Sequence, residues 1–131
     1  VGKDNFGLMY DTCHGQMVGV VGVRQEGEKE VFGSQVELIK LLHGRINHIH
    51  LIDSDNLCHK DANGDDETSS HPPFGLGVLD FDVIVPELLK AAAPMIRHDW
   101  WTIDLCFWPD AWAATETCKK ALDGLVSKYG A

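Results

Sequence analysis

Short apolar runs alternate along this chain with segments of helical periodicity. Phe6–Thr12, "FGLMYDT", is apolar in succession and closes on polar residues, which suits a parallel strand buried on both faces. A Gly-rich connection follows over residues 13–33, with room for a helical turn. Ser34 opens a capping box: its hydroxyl caps a helix, and Glu37, three residues on, reciprocates. Val36, Ile39, Leu42 and His43, with Leu38 and Leu41, form that helix's apolar face, and Gly44 is its C-terminal cap. A second strand is predicted over Ile46–Ile52. Residues 54–77, rich in Gly, Asp, Ser and Pro, make an insertion that is long for a compact domain and therefore a candidate for function. Asp80 or Asp82 caps a helix through residues 83–93, and Pro86 predicts either a late start or a kink. A third strand spans Trp100–Phe107. Pro109 and Asp110 then open a last helix with Trp112, Thr115, Cys118, Leu122 and Leu125 at helical spacing and Gly130 at its end.

Three strand–helix units in succession imply an α/β fold, with a parallel sheet and helices outside it. Composition narrows the class only a little. The 131 residues suffice for one domain with its own core. A net charge of −9 speaks against a nucleic-acid surface and against an anionic membrane. No apolar run approaches the length of a transmembrane helix, and the N-terminus lacks a secretory layout, so a cytoplasmic location is expected. Cys13, Cys58, Cys106 and Cys118 are widely spaced and are read as reduced thiols, mostly core filler.

The candidate chemistry sits where strands end. The first strand delivers Asp11 and then His14, the second His48, His50 and Asp53, the third Asp104. Ligands bind at the C-terminal edge of parallel α/β sheets, so the three strand ends together form a constellation. His48 and His50 point to one face of their strand, because side chains alternate with period two. His50, nearer the strand end, is the better metal ligand, and His48 is a supporting neighbour. Asp104 lies between Ile103 and Leu105 in a buried strand and must be paired or coordinated. A mixed nitrogen and oxygen set suits Mn²⁺, Co²⁺, Zn²⁺ or Mg²⁺. Cys58–His59 with His71 would make a zinc clip, but no second ligand pair completes it. A phosphate-binding glycine loop is not present.

"YDTCH", "INHIHLIDSDN", "PFGLGVLDFD" and "WWTIDLCFWPD" together resemble the last three strand–helix units of the sugar phosphate isomerase/epimerase family, of the xylose isomerase-like TIM barrel superfamily. The resemblance covers nearly the whole chain in order. It implies that residues 1–131 form the C-terminal part of such a barrel, a partial TIM (β/α) barrel completed by further chain or by homo-oligomerisation. It implies a divalent metal held by Asp11, His50 and Asp104, with His14 on the substrate. Asp104 stands where relatives place a glutamate that is both ligand and acid/base, which shortens the side chain by a methylene. Asn56 replaces an arginine that touches substrate. A further glutamate ligand from a preceding strand has no counterpart. The expected activity is isomerisation or epimerisation of a sugar or sugar-like molecule, with Asp104 and His14 catalytic and His14, Asp53, Asn56 and Trp108 contacting substrate. The alternatives are a non-catalytic, self-associating barrel fragment with weak metal binding and, from the same superfamily, a metal-dependent phosphodiester hydrolase.

Overall fold

The computed structural model describes residues 6–22, 33–60, 62–65, 69–92, 101–106 and 108–130. Trp100 and Phe107, the predicted ends of the third strand, lie outside them. The order of elements is β1 (Leu8–Asp11), α1 (Thr12–Gln16) running into a π-helical turn (Met17–Val21), α2 (Gln35–Leu41), β2 (Ile46–Leu51), α3 (Phe81–Ala91), β3 (Trp101–Ile103) and α4 (Ala111–Tyr129). The strands form one parallel sheet in the order β1-β2-β3. This is the α/β arrangement of consecutive units of a TIM barrel, which closes with eight strands.

Register settles which side chains meet. Asp11 pairs with His50, and His50 with Thr102. In a parallel ladder paired residues point the same way, and residues two apart share a face. Met9, Asp11, His48, His50, Thr102 and, two residues beyond, Asp104 therefore look to one side. Tyr10, Ile49, Leu51, Trp101 and Ile103 look to the other. The second face packs against the helices, in a core of Tyr10, Ile39, Ile46, Ile49, Leu51, Ile84, Val85, Leu88 and Ala91. The first is the face a closed barrel would turn inward. Here it is open enough to leave Met9 55% exposed. A smaller cluster of Cys13, Ile52, Leu105 and Cys118 packs at the strand ends, with Trp108 against it.

Ser34 and Asp80 cap their helices as predicted, but among the described residues the capping box is not closed: the Glu37 carboxylate bonds Lys40 at 3.2 Å, α2 ends on Leu42 rather than Gly44, and Asp110 makes no side-chain cap. The Ser34 hydroxyl accepts from the N–H of Val36 (3.1 Å), and the Asp80 carboxylate accepts from the N–H of Asp82 (3.0 Å). The predicted late start of α3 is corrected: it begins at Phe81, with Pro86 inside it. Asp80 closes the first turn by accepting from Val83 and Ile84, before the proline is reached. Pro86 then removes only the bond to the Asp82 carbonyl, near the helix start. Two apolar faces also need correction. Leu41 is 66% exposed and His43 is exposed, so α2 buries Ile39 flanked by Leu38 and Leu42. Trp112 is 90% exposed, and Thr115 is also exposed; the inward stripe of α4 runs through Ala111, Ala114, Cys118, Leu122 and Leu125. Counting every large residue into the stripe placed Trp112 one position off a face that small residues fill. Of the cysteines only Cys13 and Cys118 are core; Cys58 and Cys106 are exposed, and all four are free thiols.

Candidate metal centre

Asp11 ends β1 and caps α1. Its Oδ1 accepts from the His14 N–H at 2.9 Å, and the residue is only 5% exposed. Thr12 ties this strand end to the next: its hydroxyl donates to the Ile52 carbonyl at 2.6 Å and accepts from the Ile52 N–H at 2.9 Å. The Asp11–His50 register is thereby clamped at the strand ends.

His50 presents Nδ1 between two carboxylates, 3.0 Å from Asp104 Oδ2 and 3.7 Å from Asp11 Oδ2. Asp104 is held through its other oxygen by the Cys106 N–H at 3.0 Å. Burial alone would raise the Asp104 carboxyl, but hydrogen bonds from Cys106 and His50 outweigh it and hold the group below the usual carboxylate range. His48 stands one rung deeper. Its Nε2 meets the Thr102 hydroxyl at 3.1 Å, and its ring lies edge-on to His50, with centroids 5.1 Å apart. Burial and the neighbouring His50 lower its pKa, which favours the neutral imidazole.

Sequence reasoning weighs His71 only for an incomplete zinc clip, whereas the structure brings it to the strand-end carboxylates. It is fully buried, at φ 51°. Its Nδ1 donates to the Ser69 carbonyl at 3.0 Å, which places the proton on Nδ1 and turns Nε2 towards Asp11 Oδ1 at 3.8 Å. Burial lowers its pKa against the opposing pull of Asp11, so the imidazole is neutral, the ligand form. The exposed His14 ring packs edge-on against it at 4.9 Å. Among the described residues, no converging ligand set joins His71 to Cys58 and His59, and His59 bonds Asp55 at 2.7 Å. The only cues to His71 in the sequence are its place in the long insertion and the two prolines after it.

Two predicted substrate contacts have other work. Asp53 is buried, and its oxygens accept from four backbone N–H groups: Ser54 and Leu79 on Oδ1, Gly75 and Gly77 on Oδ2. The carboxylate is thus consumed in shaping the loop that carries His71. Asn56, in the left-handed region at φ 63°, accepts from Gln16 Nε2 at 2.9 Å, in a chain that continues through Gln35 to Tyr10. Trp108 is half-buried against the small core at the strand ends.

The donor set fits a divalent cation. Asp11 Oδ2 is buried and has no hydrogen-bond partner among the described residues, an expensive state for a carboxylate oxygen that a cation would relieve. The ligand atoms of Asp11, His50 and Asp104 all lie within 4.8 Å of one another. Ligands on one Zn²⁺-sized ion at ~2.0–2.2 Å stand at most roughly 4.4 Å apart, so a sub-ångström contraction would bring these three onto one ion. Two further sets overlap with this one: Asp11, His14 and His71, and His71, Asp104 and Cys106.

A parallel α/β barrel segment with imidazoles and carboxylates converging at its C-terminal edge defines the class: a TIM-type barrel with a candidate metal centre at its mouth. The family model described as the xylose isomerase-like TIM barrel matches residues 1–117, and the chain belongs to that family. The family includes sugar isomerases and epimerases as well as hydrolases, and often uses divalent metals. No curated protein and no solved structure matches the chain.

Proposed function

We propose that the protein is a divalent-metal-dependent isomerase or epimerase of a sugar or sugar-like molecule. The observation that carries this is the convergence of Asp11, His50 and Asp104 around the buried, unpartnered Asp11 oxygen. Asp11, His50 and Asp104 would hold a Mn²⁺, Co²⁺, Zn²⁺ or Mg²⁺ ion. When bound, the ion supplies Lewis-acid polarisation of a substrate carbonyl and its neighbouring hydroxyl. The chain's own residues do the rest. Asp104, held ionised at neutral pH, accepts the proton from the carbon beside the carbonyl and returns it on the same face to the neighbouring carbon; epimerisation needs a second acid on the opposite face. His14, exposed at the rim, reaches the substrate's oxygens. His48 orients His50 through edge contact and its own bond to Thr102.

The three strands of the described residues do not close a barrel, and Met9 is exposed on the inner face of β1. The reading therefore includes completion of the inner face by further barrel strands or by a second copy of the chain. Light scattering on the purified chain tests the second; a monomer at all concentrations refutes it.

The activity is tested by solvent exchange. The chain is incubated in D₂O with each of the four metals and a panel of ketoses and aldoses, and NMR reads deuterium at the carbon next to the carbonyl. Exchange that is lost in Asp104→Asn supports the reading. No exchange with any sugar–metal pair refutes it for this chain and favours a non-catalytic fragment. The overlap of the Asp11 and His71 ligand sets favours one rival, metal-assisted phosphodiester hydrolysis, in which neighbouring cations clamp both oxygens of a displacement. Release of nitrophenol from bis(nitrophenyl) phosphate without sugar exchange would select it.

A further inference from the structure

We propose that Cys106 is a metal ligand, acting as a thiolate with His71 and Asp104, and that the centre therefore takes a thiophilic ion, Zn²⁺ or Co²⁺, in preference to Mg²⁺ or Mn²⁺. The inference rests on the metal-dependent reading above and narrows its cofactor.

The ligand atoms of His71, Asp104 and Cys106 lie within 4.8 Å of one another, and Asp104 is shared with the set that includes Asp11 and His50. The geometry of each member is imposed from outside the trio. Asp104 accepts from the Cys106 N–H at 3.0 Å, a local turn that folds the chain back and keeps the sulfur beside the carboxylate. His71 is fixed in the tautomer a metal requires, because Nδ1 donates to the Ser69 carbonyl and leaves Nε2 as the coordinating atom. A histidine that ligates metal characteristically spends its other ring nitrogen in this way. The backbone at His71 sits at φ 51°, a conformation that bulky side chains adopt rarely, and the loop holding it there is bound to the buried Asp53 carboxylate. Strain maintained by surrounding structure is a mark of functional positions.

The ligand chemistry then selects the ion. Mg²⁺ and Mn²⁺ favour oxygen donors, whereas a thiolate with an imidazole and a carboxylate suits Zn²⁺ or Co²⁺. On binding, the Cys106 S–H bond breaks, its proton leaves to solvent, and the sulfur electron pair forms the bond to the ion; no oxidation state changes.

The test is a Co²⁺ titration of the full chain followed by absorption. The expected result is visible d–d absorption together with a near-ultraviolet sulfur-to-cobalt charge-transfer band. Cys106→Ser removes that band and weakens Co²⁺ binding at least ~10-fold while leaving the circular dichroism unchanged. Cys58→Ser, at the other exposed thiol, keeps the band. Zn²⁺ displaces the cobalt, and a large excess of Mg²⁺ does not. Cobalt bound without a sulfur band, a band that survives Cys106→Ser, or ready displacement by Mg²⁺ each overturns thiolate ligation. If the d–d absorption in such a case still vanishes in His50→Ala, the metal-dependent function stands and only the thiolate falls. No cobalt binding at all overturns both.

Discussion

Asp53 offers the sharpest test of how this chain builds its loop. Its carboxylate is buried and accepts from the N–H groups of Ser54, Gly75, Gly77 and Leu79 at 2.9, 2.9, 3.1 and 2.9 Å. Asp53→Ala would strand these four donors. A buried donor left without a partner costs ~1–3 kcal/mol, and bonds to a charged acceptor lie at the upper end. Water reaching the exposed Gly75 and the half-buried Gly77 and Leu79 satisfies part of the set, so the expected loss is about 3–6 kcal/mol. A domain's whole stability is only ~5–15 kcal/mol, so this loss could consume most of it. Asp53→Asn is the finer probe. The amide keeps the volume, but its NH₂ faces donors where an oxygen accepted, so two of the four bonds fail at a cost of about 2–4 kcal/mol. Urea denaturation of wild type and Asp53→Asn, with the midpoint and slope read separately, gives the difference. Hydrogen exchange at Gly75, Gly77 and Leu79 then shows whether the loss is local. An Asp53→Asn midpoint matching wild type within an equivalent of ~0.5 kcal/mol, with those amides still protected, would refute the hub role and return Asp53 to the substrate side.

Gly77→Ala should destabilise by about 1–3 kcal/mol, since a Cβ there meets the Asp53 carboxylate and the Ser54 carbonyl, whereas Gly75→Ala finds open space and loses only the ~1–2 kcal/mol of its left-handed backbone; equal losses in urea would contradict the packing argument. Thr12→Val leaves the buried Ile52 N–H and carbonyl unpaired at about 2–4 kcal/mol, and Thr12→Ser should recover most of it; a neutral Thr12→Val would mean the strand ends are not clamped. In metal-free protein His71 has a folded pKa below its ordinary value of 6.5. The unfolded chain therefore binds the extra proton first, so stability is full above pH ~6.5 and declines as pH falls towards the folded pKa. His71→Asn, which tolerates the left-handed backbone, should flatten that decline. It should not abolish it, because His48 is shifted in the same direction. Equal slopes for both proteins between pH 7 and 5 would count against a buried neutral His71.

How much of this was legible in the sequence depends on whether the information is local. The parallel order and the C-terminal ends of β1 and β2 were readable to within a residue, because each is an apolar run closed by a polar residue; β3 stops at Ile103, short of the predicted Phe107. The pairing of Asp11 with His50, and of both with Asp104, follows from period-two alternation at those ends. Faces were less legible. Helical spacing admits Trp112 and Leu41 as readily as Ala114 and Leu38, and only the neighbouring elements decide between them. The π-helical turn after α1 has no sequence signature beyond a Gly-rich stretch.

Asp53 and His71 show why the rest was hidden. Asp53 looks like a site residue because it is an aspartate at the end of a strand, at the sheet edge where ligands bind. Three of its four partners are backbone N–H groups 22 to 26 residues away, and a backbone donor has no letter in a sequence. His71 has the opposite fault: no periodicity surrounds it, so nothing local marks it as buried. The two are halves of one device. The strand end supplies a carboxylate, the carboxylate gathers the close of the insertion, and the insertion carries an imidazole back over Asp11 with its tautomer set by Ser69. A mutation at Asp53 should therefore alter the His71 side of the centre while leaving the Asp11–His50 register, fixed by the β1–β2 ladder and Thr12, in place. Cobalt spectra of Asp53→Asn would separate the two halves: loss of affinity with an intact His50 signal follows from this division of labour, and simultaneous loss of both contradicts it.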